Sequence, residues 1–81
     1  MLDVVDVRHL HDYVLWLRFD DGAEGEVDLC AELWGEAFEP LLNVEVFRRV
    51  SLNPETGTIE WPNGTDFAPE FLKTRLYSGS G

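Results

Sequence analysis

Two histidines and two carboxylates are the residues whose types and spacing could support chemistry in this sequence. His9 and His11 are two positions apart, so they would project to the same side of a β-strand. Such a pair can bind zinc when a third ligand, here Asp6 or Asp12, converges on it. A pair of surface histidines at a strand end is the simpler interpretation, and we predict no metal site.

Glu60 and Asp66 flank a proline turn, which could bring the two carboxylates close enough for acid–base catalysis of the glycosidase type. Simpler roles fit both, because Asp66 suits an Asx turn or a helix cap and Glu60 suits a solvent-facing strand position. We therefore predict no catalytic or cofactor-binding residues. The alternative is a small-ligand or metal-dependent enzyme that uses these two carboxylates with the two histidines.

The turn between the two carboxylates is predicted to be structural. Ile59 and Trp61 share one face of a strand, and we expect Trp61 to be buried. Pro62 fixes φ, and the Asn-Gly pair that follows tolerates positive φ. The residues predicted to act as structural turns and caps are Asp21, Gly22, Trp61, Pro62, Asn63, Gly64 and Asp66.

Length and composition indicate one small globular domain. The 81 residues include 16 acidic and six basic side chains, giving a formal charge of −10 that disfavours direct nucleic-acid binding. The only cysteine, Cys30, excludes an internal disulfide. With no apolar run long enough for a membrane span and no signal-peptide pattern at the N-terminus, we expect a cytoplasmic protein with no membrane partner.

Hydrophobic periodicity predicts the elements that carry these residues. Strands are expected at residues 2–10, 13–19 and 23–29, the last two forming a hairpin across Asp20, Asp21 and Gly22 with the middle strand central. A short helix that ends at Gly35 should follow. An amphipathic helix is predicted at 41–50, with a strand as the rival interpretation because residues 44, 46, 48 and 50 alternate. The further elements predicted are an extended piece at 51–52, a turn at 53–57, a strand at 58–61 and a helix that is capped by Asp66 or Ala68 and ends at 77.

These elements define an α+β fold in which a small antiparallel sheet of four to five strands, including a central hairpin, packs two to three short helices on one face. The domain is expected to occupy residues 1–77, with 78–81 as a flexible tail or an added remnant.

Aromatic and acidic side chains are the candidates for an interaction surface. The outer face of the hairpin should carry Trp16 and a row of acids near Arg18. Three tryptophans are difficult to bury in so small a domain, and Trp34 beside Gly35 is the one we expect to be exposed. The predicted interaction residues are Trp16, Glu24, Glu26, Asp28 and Trp34.

Three segments in the same order resemble the bacterial domain-of-unknown-function family 2442 over about residues 3–77. They are DYVLWLRFDDGAEGEVDL, FEPLLNVEVFRRVSLNPETGTIEW and PNGTDFAPEFLKTRLY. The resemblance implies a small α+β domain without an established activity. It also implies pairing with another uncharacterised family, number 4160, in gene pairs interpreted as toxin and antitoxin.

Together, these observations predict a non-enzymatic protein-interaction module, an antitoxin-like partner of a small basic bacterial protein encoded next door. No cofactor is expected. A homodimer that forms through a sheet edge is the other possibility for its assembly.

Overall fold

A three-stranded antiparallel sheet forms the N-terminal part of the fold in the computed structural model, which describes residues 1–76. Its strands are β1 (Val4–His11), β2 (Val14–Phe19) and β3 (Glu24–Asp28), in the order β1-β2-β3. The predicted central position of the second strand is therefore confirmed.

The β2–β3 hairpin has the predicted turn and register. Gly22 has a φ of 89°, and its N–H donates to the Phe19 carbonyl at 3.0 Å. The Asp21 carboxylate accepts the Ala23 N–H at 3.0 Å, which closes an Asx-type turn. Because alternate β2 residues point to opposite faces, one face enters the core and the other carries Trp16.

The remaining strands form a separate two-stranded sheet, so the prediction of one four- to five-stranded sheet is wrong. β4 (Ser51–Asn53) and β5 (Thr58–Glu60) pair across a turn at residues 54–57, one residue shorter than the turn predicted at 53–57 because Asn53 belongs to β4. The Val4 N–H donates to the Gly57 carbonyl at 2.7 Å and connects β1 to this turn. The two sheets are thus connected by this backbone hydrogen bond and do not continue as one ladder.

The helical segments are shorter than predicted. In place of a first α-helix there is a 3₁₀ turn at Cys30–Glu32, and Gly35 follows it with a φ of 89°. The predicted helix at 41–50 divides into a 3₁₀-helix, Glu39–Leu42, and the four-residue helix α1, Val44–Phe47. No helix within residues 1–76 is both long and apolar enough to cross a membrane.

Asn43 causes this division. Its backbone is extended, with φ −78° and ψ 114°, and its side-chain oxygen accepts the Glu45 N–H at 3.0 Å. Asn43 is thus the N-cap of α1, and Pro40 occupies the first turn of the preceding 3₁₀-helix. A residue that caps one helix cannot continue another, so the apolar spacing is divided between two elements.

The last helix, α2 (Pro69–Thr74), begins after an extended Ala68, which occupies the N-cap position without a side-chain cap bond. Of the two residues predicted as its cap, Ala68 holds that position and Asp66 does not. Asp66 instead forms an isolated antiparallel bridge with Glu60, next to the Trp61 N–H to Thr65 carbonyl bond of 3.0 Å. The tail predicted at residues 78–81 lies outside the described residues, as does Tyr77.

One apolar core joins both sheets and both α-helices. Trp61 lies in it, 1% exposed, as predicted, and its indole N–H donates to the Phe47 carbonyl at 2.8 Å. The buried apolar side chains are Val4, Leu15, Leu17, Phe19, Val27, Leu29, Leu33, Leu41, Phe47, Ile59, Trp61 and Leu72.

Candidate functional site

The two histidines do not project together from a regular strand. A register irregularity separates His9 from His11 in the β1–β2 ladder, which breaks the alternation on which the zinc spacing depends. The His9 Nε2 lies 2.9 Å from the Asp12 carbonyl oxygen, and its ring packs edge-on against Phe47. The His11 Nδ1 lies 3.3 Å from the Asp12 carboxylate.

Glu60 and Asp66 are backbone neighbours, because an isolated antiparallel bridge pairs these two residues directly across the proline turn. Within residues 1–76, no three His, Cys, Asp or Glu side chains are grouped so that they could hold a metal ion. The histidines and these carboxylates therefore do not converge on one metal site in this part of the chain.

The outer face of the three-stranded sheet places Trp16 between two guanidinium groups. The guanidinium carbons of Arg8 and Arg18 lie 5.7 and 5.3 Å, respectively, from the centroid of the Trp16 ring. Both distances are within the range of cation–π attraction. These three side chains and Leu10 line a shallow depression of about 370 Å³.

Acidic side chains lie beside this depression on β3. Arg18 pairs across the ladder with Glu24, their side chains 3.4 Å apart, as the predicted register requires. Glu26 is opposite Trp16, and the Asp28 carboxylate accepts the Cys30 N–H at 3.0 Å. All three β3 acids are exposed, so this edge of the sheet is negatively charged.

Trp34 lies on a different surface and is 75% exposed, as predicted. It lines an open groove of about 330 Å³ with three phenylalanines, Ala68 and two carboxylates. The lining residues are Glu32, Trp34, Phe38, Asp66, Phe67, Ala68 and Phe71. The predicted interaction residues therefore divide between the sheet face and this groove, which we call the Trp34 groove.

The phenylalanines of the Trp34 groove form a stack that the sequence did not reveal. The rings of Phe38 and Phe67 are 4.9 Å apart, and those of Phe67 and Phe71 are 5.4 Å apart, with interplanar angles of 22° and 13°. Phe67 and Phe71 are four residues apart, a spacing that can place two side chains together near a helix start. No local pattern indicates that Phe38 joins them.

A further contact links the first hairpin to α2. The Lys73 ammonium donates a hydrogen bond to the Asp21 carboxylate, which also accepts the Ala23 N–H. The bond from Lys73, followed by the one from Ala23, lowers the pKa of Asp21 below its ordinary value of 3.8. Asp21 thus combines its predicted turn role with a tertiary contact 52 residues away along the chain.

Comparison with known proteins identifies a family without assigning an activity. Residues 4–77 match the family model described as "Protein of unknown function (DUF2442)". No curated protein matches the chain. No solved structure matches it either. Because the family model covers nearly all of the sequence, as the resemblance predicted, the chain belongs to the DUF2442 family.

Proposed function

We propose that this protein is a non-enzymatic interaction module that binds a more basic protein, in the manner of an antitoxin bound to a small basic bacterial partner. The proposed location is the cytoplasm, where a lone exposed cysteine such as Cys30 would stay reduced. A binding role is favoured over catalysis because His9 already contacts a backbone oxygen of its own chain.

The observation that carries this proposal is the exposure of Trp34. Its side chain is 75% exposed although it lines a groove that also contains three phenylalanines. Tryptophan is enriched among the residues that dominate protein–protein binding, where a partner desolvates the ring. Trp34 is thus a suitable anchor for a second protein.

The charge distribution supports a basic partner. The chain has sixteen acidic side chains and only six basic ones, so the electrostatic field around the molecule is negative. Four basic side chains already pair with carboxylates of this chain, which leaves little positive charge to attract an acidic partner. The four pairs are Arg18–Glu24, Arg48–Glu45, Lys73–Asp21 and Arg75–Glu32.

Co-expression with the product of the adjacent gene, followed by co-purification, tests the proposal. We expect a complex that survives at micromolar concentration, whose association rate falls as NaCl is raised because salt screens the attraction. We also expect co-expression to relieve any toxicity of the partner.

Two charge variants make this test specific. Glu26→Gln should slow association because it removes an exposed charge from β3. Glu55→Gln removes an equal charge from the β4–β5 turn and is the matched control. The absence of a complex, together with unchanged partner toxicity, would rule out the proposed function.

A further inference from the structure

We propose that the Trp34 groove binds an arginine side chain of the partner, held between the Trp34 ring and the Asp66 carboxylate. The inference rests on the proposed function and specifies the contact through which a basic partner would be recognised. Both groups line the groove, and both residues are exposed.

An arginine of this chain already makes the proposed kind of contact. The Arg75 guanidinium carbon lies 4.9 Å from the Phe71 ring centroid, and an Arg75 nitrogen lies 3.5 Å from the Glu32 carboxylate. Phe71 and Glu32 both line the Trp34 groove. An aromatic face and a carboxylate here thus already hold one guanidinium, and Trp34 with Asp66 offers the same two chemical groups to a second one.

The groove is organised before a ligand arrives. The stack of Phe38, Phe67 and Phe71 fixes three of its lining rings, and Trp61 packs edge-on against the Phe67 ring at 5.8 Å. Because Trp61 is buried, this contact ties the groove lining to the core. Binding would then order few side chains beyond Trp34, which keeps the entropic cost low.

The size and charge of the groove select the ligand. A volume of about 330 Å³ is at the lower end of the range for ligand pockets, and it suits a single side chain better than a large cofactor. Because Glu32 is paired with Arg75, the Asp66 carboxylate is the charge that favours a cation and disfavours phosphates and other anions. Arginine is favoured over lysine because its planar guanidinium is weakly hydrated, stacks on aromatic rings and donates two parallel hydrogen bonds to a carboxylate.

Peptide titration followed by NMR tests the inference without requiring the natural partner. The probes are acetyl-Leu-Arg-Leu-amide and its analogues with lysine or citrulline in place of arginine. We expect the arginine peptide to shift the Trp34 indole N–H resonance and to bind about threefold to fivefold more tightly than the lysine peptide. Citrulline, which has a similar shape without the charge, should bind more weakly than arginine.

Variants assign the binding to the groove. Trp34→Ala and Asp66→Asn should each weaken arginine binding at least threefold, while Trp34→Phe should retain part of it because a ring remains. The control Glu55→Gln, at an exposed carboxylate in the β4–β5 turn, should bind like the unmodified protein. Since Trp34 and Asp66 are exposed, cooperative urea unfolding should show an intact core in each variant.

Three results would overturn the inference: no shift at Trp34, equal binding of the arginine and lysine peptides, or shifts centred on Trp16. If the partner complex forms while the peptides fail, the groove assignment is wrong and the proposed function stands. If the peptides bind as expected while no partner complex forms, the proposed function fails and the arginine site stands.

Discussion

Trp61 contributes both apolar volume and a hydrogen bond to the core. We expect Trp61→Phe to lower the free energy of unfolding by about 2–3 kcal/mol, because it opens a cavity and removes the 2.8 Å bond to the Phe47 carbonyl. The Phe47 carbonyl would still accept the hydrogen bond that the Val50 N–H donates at 3.3 Å, so it would not be left without a partner. Urea unfolding measures the loss.

Trp34→Phe is the matched control for this change, since it makes the same substitution at an exposed ring. Its unfolding free energy should stay within about 0.5 kcal/mol of the unmodified protein. Equal losses at the two positions would contradict the placement of Trp61 in the core.

The contact between Lys73 and Asp21 should make stability depend on acid pH. Because the pKa of Asp21 is lower in the folded protein than its ordinary value, its contribution is present above that value and is lost as the pH falls through the folded pKa. Asp21→Asn should therefore be slightly less stable than the unmodified protein at neutral pH, with the difference disappearing in acid.

Unfolding curves at neutral and at acid pH, for the unmodified protein and for Asp21→Asn, measure this dependence. Lys73→Met should behave in the same way, because it removes the donor that lowers the Asp21 pKa most. The control is Glu55→Gln, which removes an exposed carboxylate in the β4–β5 turn. A stability difference that persists unchanged in acid would contradict the role of this carboxylate.

Single side chains were predictable where sequence neighbours decide their environment. The burial of Trp61 follows from its strand periodicity with Ile59, and the exposure of Trp34 from its place beside Gly35, whose positive φ marks a turn. The Asp21–Lys73 contact and the addition of Phe38 to the Phe67 stack join distant parts of the chain. No local pattern specifies which distant side chains will meet.

The secondary structure shows the same division between local and distant causes. The β2–β3 hairpin was predictable because its turn residues and its alternation lie within one short segment. The helix predicted at 41–50 is too long because apolar spacing does not reveal that Asn43 caps a new helix. The connection between the two sheets, by contrast, is the Val4–Gly57 hydrogen bond, which links residues far apart in sequence.

The joint between the two sheets should be more sensitive to an added methyl group than the proline turn. Gly57 and Gly64 have φ values of 71° and 89°, so alanine is strained at both. A Cβ at Gly57 would also lie 2.3 Å from an Asp3 carboxylate oxygen, whereas none of the surrounding atoms comes within 4 Å at Gly64. We expect Gly64→Ala to cost about 1 kcal/mol and Gly57→Ala somewhat more, because the Asp3 side chain must also move away from the new methyl group.

A double-mutant cycle identifies the cause of the extra cost at Gly57. In chemical denaturation, Asp3→Ala should recover part of the loss in the Gly57→Ala background, because it removes the carboxylate that the new Cβ would meet. Additive losses would mean that the backbone conformation alone makes this position sensitive. Equal losses at Gly57 and Gly64 would contradict the proposed difference.

The exposed edge of the three-stranded sheet bears on self-association. β3 is an outer strand, and its exposed acids include Glu24, Glu26 and Asp28. A second copy pairing along this edge would bring like charges together, which opposes a dimer built on β3. We expect sedimentation to show a monomer and the melting temperature to be independent of protein concentration; a concentration-dependent melting temperature would contradict this.

The excess of acidic side chains should make salt stabilising for the molecule as a whole. Sixteen acids against six bases give a formal charge of −10 at neutral pH, and compaction brings these charges closer together. Salt also weakens the four ion pairs made by lysine and arginine, but exposed pairs contribute little, so relief of repulsion should dominate. If salt relieves about 1 kcal/mol of repulsion, the melting temperature should rise by about 4–8 °C.

Thermal melts at low and high NaCl test this expectation, with KCl as a control for specific ion effects. Because the repulsion comes from the acid excess, the double variant Glu26→Gln, Glu55→Gln should gain less from salt than the unmodified protein while keeping the lysine and arginine ion pairs. A melting temperature that falls with both salts would mean that the ion pairs outweigh the repulsion. The negative field would then carry a smaller free-energy cost in the isolated protein, and a basic partner would relieve less of it on binding.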